Sequence, residues 1–222
     1  MEAGNGRSIR NVVLDIGGVL VDYNTRDYYT ARGYAVSEAE KLKAATMDST
    51  YWKEFDIGLM PYDWIVGKMK EGSPSLASDI GKCLEDQRGI VSYRKESKGW
   101  IETIRQKGVR VLVLSNFSYA ALHDCPEALD FLGENLGGTG KEGEAGVICE
   151  GILSCHDHVI KPYPSIYALL LSRFGLVPEE TVFVDDTKEN LIGAERYGIH
   201  TILFESREQV LNDLAAYQYP KG

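Results

Sequence analysis

The sequence predicts an α/β protein: a doubly wound parallel sheet with helices on both faces and a small all-helical cap domain inserted after the first strand. Short apolar runs rich in β-branched residues indicate strands that are buried on both faces of a sheet. Helix-like patterns alternate with these runs, an order typical of doubly wound sheets, in which ligands bind beyond the carboxyl ends of the strands. A long stretch without strand patterns indicates the insertion.

Four apolar runs are the predicted strands of the core, because each is short, continuous and followed by loop-forming residues. They cover residues 12–14, 109–114, 181–184 and 201–204. A helix is predicted before each of the last three strands, and each helix ends at a glycine, which helix C-termini favour. The helices cover residues 97–107, 165–174 and 189–197, and the glycines are Gly108, Gly175 and Gly198.

The stretch after the first strand interrupts this alternation, since it holds several amphipathic segments and no strong strand. We therefore assign residues 1–22 and 95–222 to an α/β core and residues 23–94 to a helical cap domain. The connecting segments near Asp22 and Ser92 are expected to act as hinges that let the cap open for exchange and close to exclude water.

Two further stretches have less specific patterns. Trp52, Phe55, Leu59 and Trp64 have a near-helical spacing, which favours packing between helices over an aromatic wall for a substrate. Residues 133–146 are rich in glycine and charge, a composition typical of a mobile surface loop.

Composition narrows the class of protein. The 222 residues are 44% hydrophobic and 26% charged, as in ordinary globular proteins. The 24 basic residues against 33 acidic residues give a net charge of −9, which argues against a general binder of nucleic acid. No apolar run approaches the roughly 18 residues of a membrane span. We expect a cytoplasmic protein without a membrane or nucleic-acid partner, whose four irregularly spaced cysteines are reduced thiols.

Polar residues follow the first two predicted strands at the points where they end. Asp15 follows the first strand, and the next residues, Ile-Gly-Gly, leave the backbone amides of Gly17 and Gly18 accessible. Ser115 and Asn116 close the second strand, where a hydroxyl and a backbone N–H can both point at an anion. Each of these pairs alone is also common in turns.

Three charged residues complete the pattern. Lys161 precedes Pro162 and Pro164, which hold the segment extended and then start a helix. Asp185 and Asp186 directly follow the third strand, and the repulsion between adjacent carboxylates calls for a cation. Because the carboxyl ends of parallel strands meet at one edge of a sheet, we expect all of these residues to converge on one crevice.

The order and spacing of these residues resemble the motifs of the haloacid dehalogenase-like (HAD) hydrolase superfamily, in a phosphatase-type member with an α-helical cap. The resemblance covers nearly the whole chain, and the helical insertion follows the first motif as in members with such a cap. The four motifs are D-x-[DGN]-G-V-[LI] at 15–20, a hydrophobic residue with S/T-N at 114–116, K-P-x-P-x-I-Y at 161–167, and F-[IV]-D-D-x-x-x-N at 183–190.

The resemblance implies hydrolysis of a phosphate ester in two steps. Asp15 would attack phosphorus and form an aspartyl-phosphate, which water then hydrolyses, while Lys161 supplies a cation to Asp15 and the transferring group. The implied cofactor is Mg²⁺, held by Asp15, the backbone carbonyl of Gly17 and Asp186, with Asp185 as a direct or water-mediated ligand.

The resemblance also implies a cradle for the phosphoryl oxygens. Ser115, the N–H of Asn116 and the loop amides at Gly17 and Gly18 would bind these oxygens, and Asn190 would brace the acidic loop. The implied partner is a small phosphorylated metabolite, whose identity depends on how residues of the cap close over the crevice.

The sequence departs from phosphatases of this family at Gly17. They usually carry a second aspartate at this position, which protonates the leaving oxygen and later activates water, and such help is typically worth about 10² to 10⁴ in rate. Another group can supply the proton, the substrate can have a leaving group that hardly needs one, or the protein can have become a binder. We favour a phosphatase with a restricted range of substrates.

Two other functions are weighed against the phosphatase. A non-catalytic, regulatory protein would bind a phosphorylated metabolite without turning it over. A haloacid dehalogenase would form an ester between its aspartate and carbon, would need no metal, and would usually carry an aromatic residue at position 17. Gly17 does not match that pattern, and the pair of Asp185 and Asp186 favours Mg²⁺.

A zinc site within residues 149–158 is a further alternative. Tetrahedral zinc sites usually show more closely spaced cysteines and a second cluster of ligands, so this alternative is the less favoured one. The ligands would be Cys149, Cys155, His156 and His158.

Overall fold

The computed structural model describes residues 8–220, in which the chain forms one five-stranded sheet, one two-stranded ribbon and the surrounding helices. The strands are β1 Asn11–Leu14, β2 Val21–Tyr23, β3 Val91–Tyr93, β4 Arg110–Ser115, β5 Gly151–Leu153, β6 Thr181–Asp185 and β7 His200–Leu203. The α-helices are α1 Asp27–Thr30, α2 Val36–Ala45, α3 Trp52–Ile57, α4 Tyr62–Gly72, α5 Ala77–Leu84, α6 Ser97–Arg105, α7 Tyr119–Asp124, α8 Ser154–Asp157, α9 Pro164–Phe174, α10 Lys188–Glu195 and α11 Arg207–Ala215. Short 3₁₀ helices cover Pro74–Leu76, Pro126–Leu129, Glu134–Leu136 and Pro178–Glu180.

The five-stranded sheet is parallel throughout and has the strand order β5-β4-β1-β6-β7. β1 lies at its centre, where Leu14 pairs with Val113 of β4 and Val184 of β6. From β1 the chain builds one half of the sheet and then crosses to the other side for β6 and β7. This change of direction beside β1 is where such sheets bind ligands, and the predicted doubly wound parallel sheet is confirmed.

Two apolar layers cover the faces of the sheet. Val12 and Leu14 of β1 join one cluster, which includes Ile104 of α6, whereas Val13 points to the opposite face and joins a cluster with Tyr167 of α9. This alternation follows from the two-residue period of a strand. Burial on both faces explains why β1 is apolar at three of its four positions.

The predicted core elements differ from the observed ones mainly at their ends. β5 was not among the four predicted strands, because three residues, one of them glycine, are too short a run to stand out from the sequence around it. The predicted helices correspond to α6, α9 and α10, and Gly175 ends α9 in the left-handed conformation expected of a C-terminal glycine.

A segment of helices, residues 24–90, lies between β2 and β3, and it holds α1 to α5 and no described strand. β2 and β3 pair as an antiparallel ribbon in which Asp22 lies opposite Ser92. The two expected hinges therefore lie side by side at the root of the helical segment. The apolar interior of this segment is continuous with one layer of the core, since Phe55 and Met69 belong to the same cluster as Leu14.

The aromatic and glycine-rich stretches differ from expectation in part. Phe55 is buried and packs edge-on against Trp52 at a centroid distance of 5.4 Å, as predicted. Leu59 and Trp64 are instead exposed, because Gly58 ends α3 in the left-handed conformation and breaks the helical spacing. In the glycine-rich stretch, the backbone of residues 133–140 is hydrogen-bonded to residues 132 and 148, so this half is more closely packed than predicted.

Among the helices between residues 8 and 220, none combines the length and the apolar character that crossing a bilayer requires.

Candidate active site

Three neighbouring strands bring the predicted site residues together. Asp15 directly follows β1, Ser115 is the last residue of β4 and Asp185 is the last residue of β6. β4, β1 and β6 are adjacent and parallel, so their carboxyl ends lie at the same edge of the sheet. Asp186 follows on the same turn, and Lys161 reaches this edge from the segment that leads into α9.

Lys161 is the centre of a buried ion cluster. Its Nζ lies 2.8 Å from Oδ1 of Asp15 and 2.6 Å from Oδ2 of Asp185, and only 3% of the residue is exposed. Burial opposes the charge of the ammonium group, but the two carboxylates outweigh it and raise the pKa of Lys161. Lys161 therefore stays protonated and links the two acids.

The backbone of Lys161 is held by Asn116. The side-chain amide of Asn116 donates to the carbonyl oxygen of Lys161 at 3.0 Å, and its Oδ1 accepts from the Lys161 N–H at 2.8 Å. This double contact fixes the lysine relative to the end of β4. The side chain of Asn116 thus positions Lys161, while its backbone N–H is the group predicted to bind an anion.

Asp15 lies in an environment that disfavours its charge. Burial raises the pKa of Asp15 to about 7, Lys161 opposes this shift, and the charge of Asp185 adds to it. The N–H of Ile16 donates to Oδ1 at 2.7 Å and helps to fix the carboxylate. A divalent cation beside Asp15 would favour its ionised form, which is the form that can act as a nucleophile.

Asp15, Asp185 and Asp186 form an acidic cluster in which one carboxylate oxygen from each lies within 4.8 Å of the others. Asp185 is saturated, since it accepts hydrogen bonds from Lys161, the N–H of Thr187 and the side chain of Asn190. Asp186 is exposed and accepts a hydrogen bond from the Thr187 hydroxyl at 3.2 Å. The oxygen donors of Asp15 and Asp186 suit a hard cation such as Mg²⁺, with Asp185 orienting the cluster.

Gly18 and Gly17 have different roles in the loop after β1. Gly18 has a φ of +72°, and a Cβ atom there would lie 2.0 Å from Oδ2 of Asp186, so only glycine fits beside this carboxylate. Gly17 has no positive φ, and a Cβ atom there would lie 3.6 Å from Cδ2 of Tyr23, an ordinary contact distance. A side chain at position 17 is therefore sterically possible.

Ser115 supplies a donor without a partner. Its Oγ is buried and makes no hydrogen bond with any residue between 8 and 220, although the hydroxyl is close enough to Asp15 to lower its pKa. A buried hydroxyl without a partner is costly. A bound oxyanion beside Asp15 would satisfy this group.

A cavity of about 890 Å³ opens beside the acidic cluster. Gly17, Gly18 and Asp186 line it from the core, and Arg94 lines it at the end of β3. The remaining walls come from the helical segment and its root, and they carry both positive and negative side chains. The volume is that of a site for a small molecule. The residues that line the cavity from the helical segment and its root are Asp22, Tyr23, Asn24, Thr25, Arg26, Asp27, Glu40 and Lys43.

The structure adds two groups that sequence reasoning missed. Arg94 donates from Nη1 to the carbonyl oxygens of Gly18 and Val19, both at 2.9 Å, and so ties the loop after Asp15 to the end of β3. Asp56 of α3 is partly buried, and the charges of Lys161 and Asp15 both shift its pKa. Neither residue lies in a motif, and only the tertiary structure brings them to the strand ends.

The zinc alternative is not supported. Among the described residues, the acidic cluster is the one group of three or more potential ligands whose atoms converge. Nδ1 of His158 contacts the carbonyl oxygen of Ile57 at 2.8 Å, and the ring of His156 packs against Tyr119 at a centroid distance of 5.4 Å. His158 thus joins the helical segment to the core, whereas His156 packs against another helix of the core.

Comparison with known proteins gives a consistent picture. The model of the haloacid dehalogenase-like hydrolase family matches residues 9–198. D-ribitol-5-phosphate phosphatase of Bacteroides thetaiotaomicron is 26% identical over 87% of this chain and 90% of that protein. A HAD family enzyme of the same organism, solved as a magnesium complex, superposes with a TM-score of 0.66 at 18% identity, over 89% of this chain and 94% of that chain.

Other relatives are longer or have a different chemistry. Acyl-CoA dehydrogenase family member 10 of Mus musculus is 29% identical over 95% of this chain, which spans 19% of that protein. Two further curated relatives are also longer, and the chain spans 36% and 13% of their lengths. Solved dehalogenases superpose as well, with TM-scores of 0.60 and 0.63 at 18% identity, which is evidence for the fold alone.

Proposed function

The chain belongs to the haloacid dehalogenase-like hydrolase family, and we propose that it is a magnesium-dependent phosphatase that hydrolyses a small phosphorylated metabolite through an aspartyl-phosphate. The observation that carries this proposal is the buried cluster at the strand ends, where Lys161 lies 2.8 Å from Asp15 and three carboxylates lie within 4.8 Å of one another. Such a cluster combines a nucleophile, a fixed positive charge and oxygen ligands for a cation.

In the proposed reaction Asp15 attacks phosphorus and the bond to the leaving oxygen breaks. Lys161 stays protonated beside Asp15 and stabilises the negative charge of the transferring group. The unpartnered hydroxyl of Ser115 and the N–H groups of Asn116 and Gly18 donate to the phosphoryl oxygens. Water then attacks the aspartyl-phosphate and releases inorganic phosphate.

Asp15, Asp186 and the carbonyl oxygen of Gly17 would hold Mg²⁺, with Asp185 behind them. When bound, the ion neutralises the carboxylates and stabilises the charge of a phosphoryl group. Oxygen-only donors and the solved magnesium complex of a family member support this choice. The phosphatase relative that matches most of this chain supports a phosphate ester as the substrate.

The test is a screen of phosphorylated metabolites with Mg²⁺ and with excess chelator, which measures the release of inorganic phosphate. We expect turnover that depends on Mg²⁺ and that falls by about 10⁴-fold or more in Asp15→Asn, because this substitution removes the nucleophile but keeps the shape of the side chain. An Asp15→Asn protein with unchanged activity, or full activity in chelator, would refute the mechanism.

A dehalogenase is the second candidate, favoured by haloacetate dehalogenase H-2 of Moraxella sp., which is 30% identical over 46% of this chain. Its test is the release of halide from 2-haloacids in excess chelator. Halide release without phosphatase activity would replace the proposed function. Phosphoenzyme formation without release of phosphate would instead indicate the non-catalytic binder.

The thiols support the expected location. Cys83, Cys125, Cys149 and Cys155 are all free, as in proteins of a reducing compartment, and we propose a cytoplasmic location on this ground.

A further inference from the structure

The proposed phosphatase needs a proton donor that position 17 does not provide. An alkoxide leaves phosphorus slowly unless its oxygen is protonated, and the attacking water must lose a proton in the second step. Lys161 is committed to two carboxylates, and Asp185 is saturated with hydrogen bonds. The donor must therefore come from another element that reaches the strand ends.

The helix α3 packs against elements that follow the carboxyl ends of β4 and β5. It packs against α8, which directly follows β5, and against α7, which lies shortly after β4. The contact is close at the C-terminal end of α3, where the carbonyl oxygen of Ile57 meets Nδ1 of His158 at 2.8 Å. A Cβ atom at Gly58 would lie only 2.8 Å from the carbonyl oxygen of Cys155. These contacts fix the end of α3 against the core.

Asp56 is the acidic residue at this fixed end of α3. Its carboxylate is partly buried, yet it makes no hydrogen bond or ion pair with any residue between 8 and 220. Its electrostatic neighbours are Lys161 and Asp15, and its charge also acts on the partly buried Tyr23. The ring of Tyr23 lies 3.6 Å from the position of a Cβ atom at Gly17, so Asp56 and Gly17 both lie near this tyrosine.

We propose that Asp56 of α3 is the catalytic acid and base of this enzyme, in place of the side chain that Gly17 lacks. The inference rests on the proposed phosphatase function and adds the residue that moves the proton.

In the proposed reaction Asp56 transfers a proton in each of the two steps. In the first, Asp15 bonds to phosphorus, the bond between phosphorus and the leaving oxygen breaks, and the carboxyl proton of Asp56 passes to that oxygen. In the second, the Asp56 carboxylate takes a proton from water, whose oxygen bonds to phosphorus as the bond to Asp15 breaks. Inorganic phosphate leaves, and Asp56 is protonated again.

The protonation of Asp56 is suited to this role. Burial raises the pKa of Asp56 to about 7, with the charge of Asp15 adding to the shift and Lys161 opposing it. An acid with a pKa near the working pH can both donate and accept a proton. Tyr23 lies beside Gly17 and is also titratable, but burial raises its pKa further above neutrality and makes it a poor donor.

The test compares Asp56→Asn with Glu54→Gln, which makes the same change of charge two residues away on the same helix. The probes are phenyl phosphate, whose leaving oxygen needs a proton, and p-nitrophenyl phosphate, whose leaving oxygen hardly needs one. We expect Asp56→Asn to lower release of phenol by about 10² to 10⁴ and to affect formation of the aspartyl-phosphate from p-nitrophenyl phosphate much less. The aspartyl-phosphate should accumulate, because its hydrolysis needs the base.

A second substitution distinguishes chemistry from misfolding. Gly17→Asp, added to Asp56→Asn, places a carboxylate where the structure has room for one and should restore phenyl phosphate turnover by about 10-fold or more. Asp56→Ser, which also removes the acid, should behave like Asp56→Asn.

Two outcomes separate the failures. If the wild type hydrolyses phosphate esters and Asp56→Asn and Asp56→Ser remain as active as Glu54→Gln on phenyl phosphate, Asp56 is not the acid and the phosphatase function stands. If the wild type forms no phosphoenzyme and releases no phosphate from any ester, the proposed function fails, and this inference fails with it.

Discussion

The two sides of the candidate active site hold their charged groups in opposite ways. On the core side, Lys161 contacts two carboxylates, and Asp185 accepts hydrogen bonds from three residues. On the side of the helical segment, Asp56 has a partly buried carboxylate without a hydrogen-bonding partner among residues 8–220. Paired charges are fixed in position and protonation, whereas an unpaired acid can exchange its proton. The core side is thus suited to binding and attack, and the opposite side to proton transfer.

The two walls of the cavity also differ in composition. Its core wall consists of loop glycines and Asp186, which leave room for a cation and a phosphoryl group. The other wall carries Arg26, Glu40 and Lys43, whose mixed charges suit recognition of the rest of a polar metabolite. We therefore predict that the sheet carries the chemistry of the proposed reaction and that the helical segment sets the substrate.

Removing the positive charge of the core side should have the largest effect on stability. Lys161→Met leaves Asp15 and Asp185 buried without their counter-charge, and breaking such a pair costs about 3–5 kcal/mol. We expect denaturant unfolding to show this loss, together with loss of phosphatase activity. Lys41→Met, at an exposed position of α2, is the control and should change the free energy of unfolding by less than about 0.5 kcal/mol.

An equal stability of Lys161→Met and Lys41→Met would contradict the view that the core side is held together by its ion pairs. Added Mg²⁺ should recover part of the loss, because it restores a positive charge to the acidic cluster.

The second largest effect is expected from a substitution in the loop after β1, where Gly18 lies beside Asp186. In Gly18→Ala the new methyl group would lie 2.0 Å from Oδ2 of Asp186, so this carboxylate has to move. We expect the affinity for Mg²⁺, measured by calorimetry, to fall by about 10- to 100-fold. Gly33→Ala controls for backbone strain, since Gly33 also has a positive φ and no atom within 4 Å of its added Cβ. Equal affinities in both variants would contradict a metal site beside Gly18.

The contrast between the two sides also explains what the sequence could predict. Asp15, Ser115 and Asp185 each lie beside a strand end, and the parallel order of strands brings such positions to one edge. Their convergence could therefore be predicted from local pattern alone. Asp56 lies within α3, where no local pattern marks it, and its electrostatic coupling to Asp15 depends on how that helix packs against α7 and α8.

The sheet and the helical segment also differ in how well the sequence predicts them. The sheet was predictable because buried strands are continuous β-branched runs, and only the three-residue β5 escaped this pattern. The helical segment was predicted in type but less well in detail, because Gly58 shifts the packing of Leu59 away from the helical spacing. The roles of the site residues and the division into cap and core stay predictions.

A smaller effect is expected on the stability of the protein when the ionisation of Asp56 changes with pH. Its folded-state pKa of about 7 lies above its ordinary value of 3.8, so the folded protein keeps a proton that the unfolded chain has already lost. This residue therefore makes the protein less stable as the pH rises from about 4 to about 7. Asp56→Asn removes the loss and should raise the unfolding temperature at pH 8 by about 2 to 4 °C, with a smaller rise at pH 5. The exposed Asp63→Asn serves as the control, and an equal rise at both pH values would contradict the shifted pKa.

The smallest effect should come from restoring the family's usual aspartate in the wild type. Position 17 has no positive φ and has room for a Cβ atom beside Tyr23, so Gly17→Asp is expected to fold. If Asp56 already supplies the proton, a second acid adds little, and turnover of phenyl phosphate should change by less than about 3-fold. The same substitution should raise turnover by about 10-fold or more only when Asp56 is Asn. A gain of that size in the wild-type background would mean that the enzyme lacks an acid, that its preference for substrates with good leaving groups follows from this lack, and that the helical side contributes recognition alone.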